Sequence, residues 1–360
     1  MDLEHLETWL SFLQTEGIGR VYSRKLLDLY GEPSNFMGQD LDVSDIPRKV
    51  LNKIKKNKRV NNFDQVCKLM EKYDIKYLTV LDKDYPESLR AIFSPPLILF
   101  YRGQLPQDAW NNTLAIVGTR RADNYGRYIA DKLSRELSTK GVIIISGLAY
   151  GIDTIAHKAC LAAGGKTIAV MATGCDQIYP PENRRLAEQI IENGAIVSEY
   201  VPGVVAERYF FPQRNRIISA LSMGTLVVQG KKNSGAMLTA KYAIDQNKEL
   251  FAVPGQINNP LAEGPNYLIK NGACMVTESD DILASFINTN YVEQLTIFPE
   301  LSQAEKVVYN YIKQENRSVY FDEIVINTKL PVTKLSSLLM NLEIKGVIQA
   351  QAGNKYIFLY

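Results

Sequence analysis

Between residues 76 and 288 short continuous apolar runs alternate with amphipathic stretches. The runs are LAIVG, VIIIS, TIAVM, AIVSEY, TLVVQ and LFAVP. The stretches between and after them lie near 126–139 and 153–163, then in NRRLAEQIIENG, NRIISALS, AMLTAKYAIDQN and NYLIKNG. A strand that is apolar at every position is buried on both faces, and strands joined by helices form a parallel sheet covered on both sides. The pattern therefore predicts an α/β fold, a doubly wound Rossmann-like parallel sheet.

The flanks have a different texture. Residues 1–75 show helical spacing in LETWLSFLQ and YSRKLLDLY, with TEGIGR between them. A Gly-Ile-Gly turn between two short helices resembles a helix-hairpin-helix, which can offer backbone N–H groups to a phosphate. The run KVLNKIKKNKR at 49–59 is basic, which suits a solvated helix face or a surface that follows phosphates. TNYVEQLTIFPELSQ, near 289–303, reads as a linker. Residues 300–360 then show three helical segments, the last starting at a proline and ending at a glycine, followed by VIQAQAGNKYIFLY with a turn expected at Gly353-Asn354. Three helices and a hairpin describe a winged helix. The expected division is 1–75, 76–288 and 300–360.

Composition narrows the functions. The 360 residues carry a net charge of only +2, so a nucleic-acid site would have to be a local patch. Cysteines 67, 160, 175 and 274 form no C-x-x-C pair, so neither zinc nor a disulfide framework is expected and the thiols should be free and buried. No signal peptide and no apolar stretch long enough to span a membrane is recognised, which points to a cytoplasmic protein. There is no P-loop motif and no strict G-x-G-x-x-G fingerprint, and no cofactor is expected.

In an open α/β sheet ligands bind beyond the carboxyl ends of the strands. Five successive loops there carry glycine, hydroxyl or basic groups. They bring Gly118 with Arg120 and Arg121; Ser146, Gly147 and Gly151, with Asp153 as a helix N-cap; Asn183, Arg184 and Arg185; Arg214 and Arg216 of FPQRNR; and Lys231, Lys232, Ser234 and Gly235. Two arginines at a helix start oppose the helix dipole, unless a phosphate or a carboxylate such as Glu199 or Glu207 compensates them. Tyr150, Tyr179, Tyr209 and Phe210 lie on the same loops and could stack bases or simply pack. Asp153 and His157 stand at i and i+4, which suits a capping acid and a packed histidine that closes the loop better than an acid/base pair, because no nucleophile accompanies them.

At these loops VGTR, SGLAYGIDTIAH, GCDQIYPPEN, SEYVPG, FPQRNRIISALS, SGAMLTA, AVPG and EGPNYLIKNGA occur in order. Together they resemble the bacterial DNA-processing protein A family (DprA, also called Smf). The one departure noted is Ala220, where glycine is common. The resemblance implies a SAM-like or helix-hairpin-helix domain in front and a winged helix behind. It implies a non-catalytic homodimer, joined through the α/β domain, that binds and protects single-stranded DNA and loads the recombinase RecA onto it in natural transformation. By motif match it places Arg120, Arg184 and Arg185 in a basic pocket for the DNA backbone, with Ser146, Gly147, Arg214, Asn215, Arg216, Ser234 and Gly235 as the rest of the rim.

Two other functions stay open. Nucleoside-monophosphate phosphoribohydrolases resemble the chain in outline and keep a P-G-G-x-G-T-x-x-E motif. Here ALSMGTLVV keeps Gly224 and Thr225 but has Val228 where the glutamate belongs, which leaves hydrolysis without an acid/base group. A nucleotide or phosphate sensor acting on duplex DNA through the winged helix is the second alternative, although the third helix offers only Lys334 and Lys345 beside Glu343.

Overall fold

A computed structural model describes residues 2–56, 60, 62–106, 109–285, 301–315, 318–328, 330–345, 347–351 and 355–358. The chain forms two compact units, 1–285 and 286–360.

The first unit begins with helices α1 (Leu3–Gln14), α2 (Arg20–Tyr30), α3 (Arg48–Lys56) and α4 (Phe63–Lys72). Asp2 caps α1 by accepting the N–H of His5 at 3.1 Å, and the chain then reverses at Gly17, whose φ of 90° favours glycine. Leu6, Trp9, Leu10, Phe12, Leu26, Phe36 and Ile54 are fully buried among these helices. Residues 57–59 of the basic run fall outside the described residues.

The sheet comprises β1 (Lys76–Thr79), β2 (Ile98–Gly103), β3 (Thr113–Val117), β4 (Ile143–Ser146), β5 (Thr167–Val170), β6 (Gly194–Ser198), β7 (Gly224–Val227), β8 (Glu249–Ala252) and β9 (Cys274–Met275). Their order is β1-β2-β6-β5-β4-β3-β7-β8-β9. From β6 to β9 all pairings are parallel, and β1 and β2 add an antiparallel edge. The helices are the one-turn α5 (Glu87–Arg90), α6 (Asn124–Thr139), α7 (Ile152–Ala162), α8 (Arg184–Glu192), α9 (Phe210–Ala220), α10 (Gly235–Asp245) and α11 (Glu263–Lys270). α6, α7 and α8 pack in series, and α9 packs on α10. The chain moves outward from β3 through β6, then returns to the other side of β3 as β7. The loops after β3 and β7 therefore diverge, and a crevice opens at their carboxyl ends.

Every position of β3, β4, β5, β6 and β7 is buried, as their apolar runs require. The β1–β2 edge was not predicted, because KYLT is short and half-exposed. A second difference concerns α9, which starts at Phe210 and so takes FPQRNR into the helix. Pro212 is tolerated there, since a first-turn residue needs no intrahelical N–H bond.

The second unit holds α12 (Gln303–Glu315), β10 (Val319–Tyr320), α13 (Phe321–Thr328), α14 (Val332–Ile344), β11 (Ile348–Gln351) and β12 (Lys355–Phe358), with strand order β10-β12-β11. Val308, Ile312, Val319, Ile324, Leu335 and Leu342 fill its core. This is a winged helix. Most of the linker expected at 289–303 and the turn at Gly353-Asn354 lie outside the described residues.

Among the described residues no helix is long and apolar enough to cross a membrane, and no group of three or more His, Cys, Asp or Glu could hold a metal. All four cysteines are free, but only Cys160 and Cys175 are buried; Cys274 is exposed.

Candidate functional site

A cavity of about 890 Å³ opens at the reversal of strand order. Five loops and their helices line it. They contribute Gly118, Thr119, Arg120 and Arg121 after β3; Ala149 and Asp153 after β4; Tyr179 after β5; Arg208, Phe211, Arg214 and Asn215 after β6; and Lys231, Ser234 and Gly235 after β7.

The groups around the mouth are open and positive. Arg120, Arg121, Arg208 and Lys231 are exposed, and none has a carboxylate within salt-bridge distance among the described residues. The Arg120 guanidinium lies 5.5 Å from the Phe211 ring centre, and Phe211 stands 5.5 Å from the Tyr179 ring. One wall is thus an aromatic pair with a cation over it, which could hold a base beside a phosphate.

Across the cavity, α10 points its N-terminus inward. Ser234 is its N-cap residue, makes no capping bond, and has no partner for its Oγ among the described residues. The first N–H groups of a helix have no intrahelical acceptor, so those of Gly235 and Ala236 are available to an anion. A Cβ on Gly235 would meet nothing within 4 Å, so a ligand can approach the backbone there. Asn215 bridges to this end, with its Nδ2 donating to the Gly235 carbonyl at 3.2 Å.

Four expected contact residues are turned inward instead. Ser146 is fully buried and donates to the Ile116 carbonyl at 2.6 Å. The Gly147 N–H donates to Asp153 at 3.1 Å, and its carbonyl accepts from Arg214 at 2.7 Å. Asn183 donates to the Leu148 carbonyl at 2.9 Å and to the Thr154 hydroxyl at 2.8 Å. Arg216 is buried and pairs with Glu199, the carboxylate alternative to phosphate. Each of these groups is thus taken up by a partner inside the protein.

Arg214 is intermediate. It is 4% exposed and lines the cavity floor. Its Nη1 donates to the carbonyls of Gly147 and Val170, and its Nε to Asn215 at 3.3 Å. It makes no salt bridge among the described residues, and burial pushes its pKa down to about 10. One guanidinium edge thus anchors the loop and the other meets the cavity. The glycines beside it have steric reasons: a Cβ on Gly147 would lie 2.5 Å from Arg214 Nη2, and one on Gly118 2.4 Å from Ile152.

Asp153 is not the N-cap of α7, a position that Gly151 holds. Its buried carboxylate closes the preceding loop, and burial raises its pKa to about 6 against the lowering effect of Arg214. His157 is fully buried, with burial pushing its pKa down to about 3. The Thr167 hydroxyl donates to the Ile144 carbonyl at 2.6 Å, so the 2.7 Å contact with His157 requires Nδ1–H to be the donor. A neutral histidine locked in this way cannot shuttle protons to the cavity. Val228 is 1% exposed and offers no acid where a hydrolase would need one.

Arg184 and Arg185 are exposed at the start of α8 but do not line the cavity. Tyr150 hydrogen-bonds Glu182, and Tyr209 packs on Phe210 with ring centres 4.4 Å apart. Arg208 and Phe211 were missed by the sequence analysis. Their signal was the register of RYFFPQR: once α9 starts at Phe210, Phe211 shares a helix face with Arg214 at i and i+3, and Arg208 precedes the helix.

The model of the family described as DNA recombination-mediator protein A matches residues 76–287, and that of the DprA winged helix domain matches 299–354. The chain is 33% identical to Protein Smf of Synechocystis sp., over 97% of each protein. It is 41% identical to DNA processing protein DprA of Bacillus subtilis, over 60% of this chain and 73% of the relative. Among solved structures, DprA from Streptococcus pneumoniae superposes with a TM-score of 0.66 at 32% identity, covering 79% of this chain and 97% of that one. DNA processing protein A from Helicobacter pylori, solved for its single-stranded DNA binding mode, gives a TM-score of 0.54 at 29% identity, covering 60% and 97%.

Proposed function

The chain belongs to the DprA/Smf family of DNA-processing proteins, and from that premise we propose that the cavity and its rim bind single-stranded DNA through the sugar–phosphate backbone. The observation that carries this reading is the set of exposed cations at the mouth, Arg120, Arg121, Arg208 and Lys231, none of them with a carboxylate partner among the described residues. Arg120, Arg121 and Arg208 take phosphates at the entrance. Arg214, Asn215, Ser234 and Gly235 take one at the floor, and Tyr179 with Phe211 stacks a base. Arg184 and Arg185 extend the track along α8. Ser146, Gly147, Asn183 and Arg216 hold the loops from behind.

The finer role follows the family resemblance: protection of single-stranded DNA and loading of RecA in recombination and natural transformation, by a homodimer joined through the α/β domain, in the cytoplasm and without catalysis. The proposed domain division is 1–75, 76–288 and 300–360. The winged helix is a weak duplex reader, because Lys345 is held by Glu305 at 2.8 Å and leaves Lys334 as the cation of α14.

Labelled oligonucleotides, single-stranded and duplex, titrated over a salt series test the proposal. The wild type is expected to prefer single strands with a steep salt dependence. Arg120→Ala combined with Arg185→Ala should weaken binding and flatten the slope of log K against log salt by roughly 0.7 for each phosphate that is no longer neutralised. A folded variant that binds like the wild type would remove the rim from the mechanism. Duplex preference in the wild type would favour a phosphate sensor that works through the winged helix.

A further inference from the structure

The floor of the cavity pairs a buried cation with a buried acid from another element. Arg214 comes from α9 and Asp153 from the first turn of α7, and both line the cavity while being only 4% and 6% exposed. The Asp153 carboxylate accepts the Gly147 N–H, and the Gly147 carbonyl accepts Arg214. One residue of loop thus connects the two charges. They lie outside direct salt-bridge distance, so each remains able to respond to a third charge placed between them.

We propose that Asp153 is the positioning and charge-balancing residue of this site, and that it takes up a proton when a DNA phosphate becomes the counter-ion of Arg214. The inference rests on the reading that the cavity binds a DNA phosphate. With the cavity empty, Asp153 is the buried anion that balances Arg214. A phosphate at the floor brings a second negative charge into the same poorly solvated space, and two anions there repel each other. Protonation of Asp153 removes the repulsion, and the neutral acid still accepts from Gly147 N–H. Binding therefore tightens as the pH falls.

The neighbours make the effect readable. Facing Asp153 are the Ser146 hydroxyl and the N–H groups of Gly147 and Ala149 from its own loop, and Arg214 from α9. Arg120, from the loop after β3, acts on Arg214 in turn. His157, one turn along α7, is neutral down to about pH 3. The protein has two histidines, and the other, His5, lies in α1 outside the cavity lining. With a pKa raised to about 6, Asp153 is ionised in the empty protein above that pH. A further rise of one unit in the complex makes binding about fivefold tighter near pH 6 than near pH 8, with the slope lost above the pKa of the complex.

The test is the affinity of the full chain for oligothymidylate from pH 6 to pH 8 at fixed ionic strength, because thymine and phosphodiesters do not titrate in that range. The wild type should tighten about fivefold. Asp153→Asn, which mimics the protonated acid, should be flat and close to the wild type's low-pH affinity. Calorimetry of the wild type near pH 6.5 in two buffers of different ionisation enthalpy should show about half a proton taken up on binding, and it decides the matter without the variant should Asp153→Asn fail to fold. Binding that is strong but independent of pH, with no buffer-dependent heat, overturns the proton linkage and leaves the DNA reading intact. A variant that keeps the wild-type slope also overturns it. Absence of binding at every pH removes the DNA reading, and the linkage with it.

Discussion

Helix α3 and the rim of the cavity are both dense in cations, and they differ in what those cations face. Of the five cations of α3, Arg48 pairs with Asp42 at 3.5 Å, Lys53 with Glu16 at 2.6 Å and Lys55 with Asp40 at 2.8 Å, while Lys49 and Lys56 make no salt bridge among the described residues. On the rim, Arg120, Arg121, Arg208 and Lys231 have no such neighbour among the described residues. A count of lysines and arginines ranks α3 first. Affinity for a polyanion follows the charge left uncompensated, and that ranks the rim first. The same contrast runs within α9, where Arg216 is committed to Glu199 and Arg214, two positions earlier, keeps one edge toward the cavity. A charged residue in a sequence is thus a candidate site only until its partner is known.

The largest effect that probes the contrast is on stability. Arg216→Ala removes the cation of a pair whose side chains are only 8% and 16% exposed, and breaking a buried pair costs about 3–5 kcal/mol. Urea unfolding should show a much lower midpoint at an unchanged slope. A loss of DNA binding with full stability would instead place Arg216 among the contact residues.

Much of this arrangement was legible beforehand. Continuous apolar runs located β3 to β8, because strands buried on both faces admit little else, and the topology then placed five loops at one rim. What could not be read was the direction of each polar side chain. Ser146 and Asn183 have the composition of a phosphate loop, yet their hydrogen bonds run to Ile116 and Leu148, carbonyls that only the assembled fold brings near. The start of α9 was displaced for a related reason: the expected stretch begins at Asn215 and the helix five residues earlier at Phe210, and where it begins decides whether Phe211 faces a cavity or solvent. Arg208 went unnoticed beside the more conspicuous arginines of FPQRNR.

Arg208 therefore sharpens the comparison at the next level of magnitude. It lines the mouth and makes no salt bridge among the described residues, so Arg208→Ala should weaken single-strand binding roughly tenfold, the worth of a hydrogen bond to a charged group. Lys53→Ala, in the more basic segment, should change it by less than about twofold, because its charge is already compensated by Glu16. Fluorescence anisotropy at one moderate salt concentration compares the two directly. Equal losses would mean that net charge, and not its local compensation, governs binding.

The smallest expected effect tests whether compensation alone silences α3. Replacing its acidic partners by amides, as Glu16→Gln, Asp40→Asn and Asp42→Asn together, leaves Lys53, Lys55 and Arg48 in place and removes the opposing charge. The amides are close in shape and can still accept a hydrogen bond, so the helix keeps its geometry. The three cations released, together with Lys49 and Lys56, attract a polyanion on a solvated surface, but they have no aromatic wall and no inward-pointing helix N-terminus to fix it. The gain should thus be only a few-fold at low salt, should vanish at moderate salt, and should be the same for single strands and duplex. The proposed rim binding should differ on each count, because its cations surround a shaped cavity. A gain that is large, salt-resistant or selective for single strands would mean that α3, once uncovered, is itself a built site and that its acidic partners hold it in check.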